Sequence, residues 1–192
     1  MRPRFKIELL LVALLCFGPV VAAYVLYYYG APRALPRLAN EERLLLDPVV
    51  PLPPLAGREA SGEAVENLWA RPLWSLIYAR TSPCDERCGA DLVRLRQVHA
   101  ALGRDQSRVR LVYVGPGADP GAAKAVAVGS FDAGGGARLL ELLQDIGQPP
   151  GERGRIYVAD PHGNLVLSYP PDARQKGLYD DLERLLDVSR IG

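Results

Sequence analysis

The apolar positions of this chain fall into distinct patterns. The first is a continuous run. Leu9 to Tyr29 is 21 residues without a charge, long enough to cross a bilayer core as a helix. Further along, Leu73-Trp74-Ser75-Leu76-Ile77-Tyr78-Ala79 is a short apolar run bounded by Pro72 and by Thr81-Ser82-Pro83, which predicts a buried strand. Leu92, Leu95, Val98 and Leu102 then recur at helical spacing and predict a helix from about Cys84 to Leu102. Val109 to Val114 reads as a second strand and Ala125 to Val128 as a short third one. Leu139, Leu140, Leu142, Leu143 and Ile146 mark a helix that stops at Gly147. Ile156–Ala159 and Leu165–Ser168 are strands joined by Asp160-Pro161-His162-Gly163-Asn164, a hairpin turn signal. Leu178, Tyr179, Leu182, Leu185 and Leu186 give the last helix one apolar face.

Strand–helix alternation implies parallel pairing through right-handed crossovers. A hairpin followed by a terminal helix makes the sheet mixed. The fold class expected is therefore α/β: a single N-terminal transmembrane helix followed by a domain with the element order of a thioredoxin-like fold and a mixed central sheet. Three segments follow: a cytoplasmic tip and anchor at 1–29, a Pro-rich linker at 30–56, and the domain at 57–192. Pro32, Pro36, Pro48, Pro51, Pro53 and Pro54 make the linker extended and semi-rigid. Within it, Asn40 to Leu45 is expected to form a short helix capped by Asn40.

Charge orients the span. Arg2, Arg4 and Lys6 precede it, offset by Glu8; Arg33 and Arg37 follow it, soon joined by Glu41 and Glu42. The positive-inside rule then places the N-terminus in the cytoplasm and the rest in the periplasm, as a single-pass protein of a bacterial inner membrane. The rival is a signal peptide cleaved after Val21-Ala22-Ala23. The run continues past that point into Tyr24 to Tyr29, longer than a signal core, and those tyrosines suit a membrane interface.

The whole chain has 192 residues, is 48% hydrophobic and carries a net charge of +1. Three cations and one anion lie in the first eight residues, so the remainder has a net charge of −1. That balance excludes the concentrated basic surface of a nucleic-acid binder and a polybasic strip for anionic lipid. Three cysteines cannot staple a disulfide scaffold, and two distant histidines cannot build a His-rich metal site.

Cys84 and Cys88 carry the chemistry. They are spaced C-x-x-x-C where the first strand of the domain turns into its first helix. Residues four apart on a helix lie about 5–6 Å apart; a partly unwound first turn would bring them within disulfide reach. A helix N-terminus raises the thiolate fraction, which redox exchange needs. Two thiolates at this spacing also suit Cu(I). The alternative is an inert clip of the turn, which such a short loop would stabilise little. Asp85, Glu86 and Asp91 favour the helix N-terminus and read as a solvated first turn. Gly134-Gly135-Gly136 precedes a helix, but no Lys-Ser/Thr follows, so it is a flexible loop rather than a phosphate cradle.

Trp74–Ala79, then Cys84-Asp85-Glu86-Arg87-Cys88, then Tyr157-Val158-Ala159-Asp160-Pro161-His162-Gly163-Asn164, resemble the SCO/SenC family. These are membrane-anchored, thioredoxin-fold proteins that assist copper insertion into cytochrome c oxidase. The resemblance implies an accessory factor of respiratory oxidase biogenesis, with oxidase subunits or their assembly factors as partners. By analogy with redox pairs it makes Cys84 the attacking thiol and Cys88 the resolving one, or makes both ligands of Cu(I). The chain departs from the family's pattern in three places. Asp85 and Gly89 stand where the family has Pro after each motif cysteine. Pro150 to Arg155 contains no His where the family has its third copper ligand. A thioredoxin-type cis-proline just before that strand is also missing. His99 lies about 16 Å of helical rise beyond Cys88, and His162 sits at the hairpin tip, about 17 Å from the cysteine end; both read as structural. These departures sustain a second reading, a non-catalytic interaction protein that has kept the fold and holds assembly partners on its surface.

Overall fold

A computed structural model of the protein describes residues 14–21, 44–116, 127–132, 134–189 and 191. The chain divides into two units, Met1–Ala39 and Asn40–Gly192. In the first, residues 14–21 are helical and Leu14, Leu15, Phe17, Val20 and Val21 are exposed. The rest of the expected span Leu9–Tyr29 lies outside the described residues. Among the described residues no helix is long and apolar enough to cross a membrane.

The second unit is an eight-stranded mixed sheet between helices. In chain order its strands are β1 (Leu44–Pro51), β2 (Gly57–Arg58), β3 (Ala64–Val65), β4 (Trp74–Ala79), β5 (Val109–Val114), β6 (Ala127–Gly129), β7 (Arg155–Ala159) and β8 (Asn164–Tyr169). Its helices are α1 (Glu86–Ala101), α2 (Gly136–Asp145) and α3 (Gln175–Val188), and a 3-10 turn runs over Gly103–Arg108. The order across the sheet is β1-β8-β7-β4-β5-β6-β2-β3. β4, β5 and β6 are parallel and every other pair is antiparallel. The expected succession of strand, helix, strand, short strand, helix, hairpin and helix is all present.

Alternation along the strands builds two cores. Trp74, Leu76 and Tyr78 of β4 face the side covered by Leu92, Leu95 and Val98 of α1 and Leu178, Leu182 and Leu186 of α3. Ile77 and Ala79, with Val112 and Val114 of β5, face Leu139 and Leu143 of α2 on the other side. All six residues of β4 are therefore buried, Ser75 among them, as a strand covered on both faces requires.

The proline-rich stretch differs from expectation. From Leu44 onward it is not a spacer but an edge strand. β1 pairs antiparallel with β8, with a register shift between Leu45 and Val50. Asp47 and Pro48 fall within that irregularity, where the ladder tolerates them. Leu44 and Leu45 belong to this strand, not to the helix expected at Asn40–Leu45; residues 30–43 lie outside the described residues. The expected linker also supplies core: Leu55 is fully buried with Leu68 and Trp69. The glycine run has a structural reason too. Gly135 has φ +87°, and a Cβ there would strike the Pro54 carbonyl; only glycine allows this approach.

Candidate functional site

Sequence places the two cysteines asymmetrically, and the fold keeps that asymmetry. Cys84 precedes α1 and is half-buried, whereas Cys88 lies in its first turn and is fully buried in the α1-side core. They form a disulfide with Cα atoms 5.2 Å apart. The helix begins two residues after Cys84, at Glu86, because Asp85 is its N-cap: extended backbone, with the side chain accepting from Cys88 N–H at 2.9 Å. An unwound residue at the start of the helix is what the C-x-x-x-C spacing needed.

Beneath this turn sits Arg80, only 4% exposed. Its Nη1 donates to Asp85 Oδ1 at 2.8 Å and its Nη2 to Oδ2 at 3.4 Å. Nε and Nη2 also donate to Ser82 Oγ at 3.1 and 2.6 Å. The Arg80 guanidinium, and secondarily the Cys88 N–H, holds the Asp85 carboxyl well below the usual carboxylate range. Arg80 is itself shifted upward by its hydrogen bond to Asp85. Asp85 is thus a cap and an ion-pair partner, not a merely solvated first-turn residue. Nothing in the apolar pattern marked Arg80; its only signal was a cation five residues before a helix-capping aspartate.

The loop 151–154 closes the other side. Thr81 N–H donates to Gly151 O at 3.0 Å, and Ser82 Oγ donates to Glu152 O at 2.9 Å. The Tyr78 hydroxyl lies 3.1 Å from both Arg153 O and Asp91 Oδ2, sharing one proton between two acceptors. Burial, then the Asp91 carboxylate, raises the Tyr78 phenol above its usual range. Gly154 is required here: φ is +80°, and a Cβ would run into the Tyr78 ring and hydroxyl. Asp91 is committed to Tyr78 and to Arg94 at 3.2 Å, while Glu86 is exposed. This loop lies beside the cysteine turn and carries no His.

Neither histidine reaches the pair. His99 is half-buried, and its Nε2–H donates to the carbonyls of Gln106 and Val109. β7 pairs with β4 as Ala79↔Arg155 and Ser75↔Ala159, so it starts at the cysteine end and runs away from it. His162 therefore lies exposed at the far tip, where Asp160 Oδ1 accepts from its N–H at 2.9 Å. Among the described residues, no three His, Cys, Asp or Glu side chains are grouped to hold a metal. In the disulfide the two sulfurs are bonded to each other, and only reduction would turn them into two thiolates.

A family model described as transmembrane-like, thioredoxin-like, C-terminal domain matches residues 74–189. The chain belongs to this thioredoxin-like family. The match covers the disulfide and every core element from β4 to α3. No curated protein matches the sequence. Solved structures do match the fold. One is BsSco, described as having a disulfide switch and as a member of the Sco family of cytochrome c oxidase assembly proteins. It is 11% identical, with TM-score 0.54 over 74% of this chain and 96% of that one. A second is Arabidopsis thaliana ScoI with copper bound, 12% identical, TM-score 0.51, covering 73% and 99%. A third is a thiol:disulfide interchange protein from Bacteroides sp., 16% identical, TM-score 0.52, covering 74% and 91%. At these identities the likeness establishes a Sco-like thioredoxin fold.

Proposed function

We propose that this protein is a membrane-anchored, thioredoxin-like accessory factor in respiratory (cytochrome c) oxidase biogenesis, acting by thiol–disulfide exchange at Cys84 and Cys88. The observation that carries this reading is the asymmetry of the pair: a disulfide at a strand-to-helix turn with one half-open sulfur and one buried. An incoming thiolate attacks Sγ of Cys84, the Cys84–Cys88 bond breaks, and Cys88 leaves as a thiolate. A second thiolate of the partner then attacks its own sulfur in the mixed disulfide, releasing Cys84. The partner gains a disulfide and the protein gains two thiols; the reverse steps oxidise the protein. The BsSco and Bacteroides structures support this chemistry on this fold. Leu9–Tyr29 serves as the anchor, with the domain in the periplasm, where a close cysteine pair is kept oxidised. The exposed apolar side chains at 14–21 suit a lipid environment.

The donor chemistry of the same pair favours a second use. Once reduced, two thiolates hold Cu(I) as cargo, without the third nitrogen ligand that the family's pattern would bring.

The test is complementation of a strain lacking this protein, read as oxidase activity in isolated membranes. Cys84→Ser with Cys88→Ala is the suitable variant, because serine at the fully buried Cys88 would strand a hydroxyl. Loss of oxidase activity with normal protein level is the expected result. Full activity would move the function to the surface of the fold, as a scaffold. A phosphatase fused after Gly192 reports the topology and should be active; an inactive fusion overturns the periplasmic placement.

A further inference from the structure

We infer that Arg80 and Asp85 form a charge pair that sets how readily the Cys84–Cys88 disulfide opens, Arg80 as the accelerating half and Asp85 as the retarding half. The inference rests on the exchange reading. Asp85 lies inside the five-residue loop that the disulfide closes, and Cys88 N–H fixes its carboxylate at 2.9 Å. Arg80 reaches both carboxylate oxygens, at 2.8 and 3.4 Å, and is buried. Two opposite charges are thereby held at the loop that carries the sulfurs. Thiolate attack spreads negative charge over three sulfurs and leaves it on Cys88. A fixed cation lowers that barrier, a fixed anion raises it, and together they nearly cancel.

Stability alone explains the pair poorly. Asparagine or serine would cap α1 as well as aspartate, and a neutral cap would need no buried guanidinium, whose desolvation is costly. The remaining charges nearby do not substitute for it. Glu86 and Arg87 on α1 and Glu152 and Arg153 on the facing loop are exposed and screened by salt. Asp91 is engaged by Tyr78 and Arg94.

The experiment uses the oxidised full-length protein in mild detergent. It follows disulfide opening by dithiothreitol, a neutral thiol, at fixed pH and ionic strength. Asp85→Asn keeps the cap and leaves Arg80 uncompensated, so opening should be roughly three- to tenfold faster, the size of one charge about 4 Å away in a water-like dielectric. Arg80→Met should slow opening by a similar factor, Arg80→Lys should stay near wild type, and the Arg80→Met/Asp85→Asn double variant should return towards it. Opposite signs are the signature. A structural clamp, when broken from either side, would speed both variants. Same-sign changes, or an Asp85→Asn rate equal to or below wild type, overturn the proposal, and the latter holds even if Arg80→Met fails to fold. Full complementation by Cys84→Ser/Cys88→Ala in the cell with opposite-sign rates in the tube would sink the exchange role in oxidase assembly and leave the charge pair standing.

Discussion

Removing the sulfur–sulfur bond separates a working disulfide from a structural one. The bond joins residues four apart in sequence. In the chain-entropy account, a closed loop of this size stabilises the fold by roughly 2 kcal/mol. The start of α1 has supports besides it: Asp85 caps the helix and Arg80 holds Asp85. Cys84→Ser/Cys88→Ala should therefore cost about 2 kcal/mol. For the unit Asn40–Gly192, that is a fall in Tm of about 4–8 °C. Phosphine reduction of the wild type should give the same fall. Calorimetry of the full chain in mild detergent measures it, with near-UV circular dichroism to confirm that tertiary packing survives. A fall beyond about 15 °C, about twice the upper end of what the loop entropy allows, or loss of the near-UV signal, would show that the disulfide holds the domain together. The exchange mechanism would then lose its footing, because a pair that must open and close cannot also be the main support of its fold.

Leu92→Ala, at a position 2% exposed between α1 and the sheet, should cost about 2–5 kcal/mol by urea unfolding, more than removing the disulfide. Gly135→Ala should destabilise strongly, because it combines φ +87° with collision against Pro54, whereas Gly134→Ala meets only Ala56 Cβ at 3.9 Å and should be mild; parallel thermal melts compare them. Because Arg80, and then the Cys88 N–H, depress the folded pKa of Asp85, its contribution is fully present above the unfolded aspartate value of about 3.9 and is lost as pH falls through the lower folded value. Wild type should therefore exceed Asp85→Asn in stability at neutral pH, and the gap should close in acid; a gap that is constant with pH would refute the pairing. Titration of the reduced protein should show Cu(I) bound through Cys84 and Cys88 and abolished by Cys84→Ser, with Cu(II), which prefers nitrogen and oxygen donors, bound weakly.

The core elements were legible because each one buries a face that its own sequence writes. β4 is a run interrupted only by Ser75, α1 repeats Leu92, Leu95 and Val98 at helical spacing, and the 160–164 turn joins two strands of the predicted length. β1 was not legible. Leu45 and Val49 are exposed, Pro48 interrupts the run, and the strand exists because β8 offers it a ladder, a long-range cause that no local pattern records. β2 and β3 have two residues each, too short for any periodicity. At the site, the cysteines announced themselves by spacing, whereas Asp85 read as a solvated first-turn residue because the helix was expected to start at Cys84. Arg80 did not announce itself, because a cation at a strand end normally points to water, and only the turn through Ser82 folds it under the disulfide.

The direction of β1 has a mechanical consequence. Leu44 pairs with Ser168, Ser168 with Tyr157, and Tyr157 with Ile77, while the other end of β1, Pro51, pairs with Asn164 beside the hairpin tip. The polypeptide thus runs into the sheet from the side where β4 gives way to the cysteine turn. Had β1 run the opposite way, the chain would come in beside His162, and the sulfurs would sit at the distant end of the domain. As built, tension applied at residue 44 would load the β1–β8 ladder from the disulfide end of the sheet.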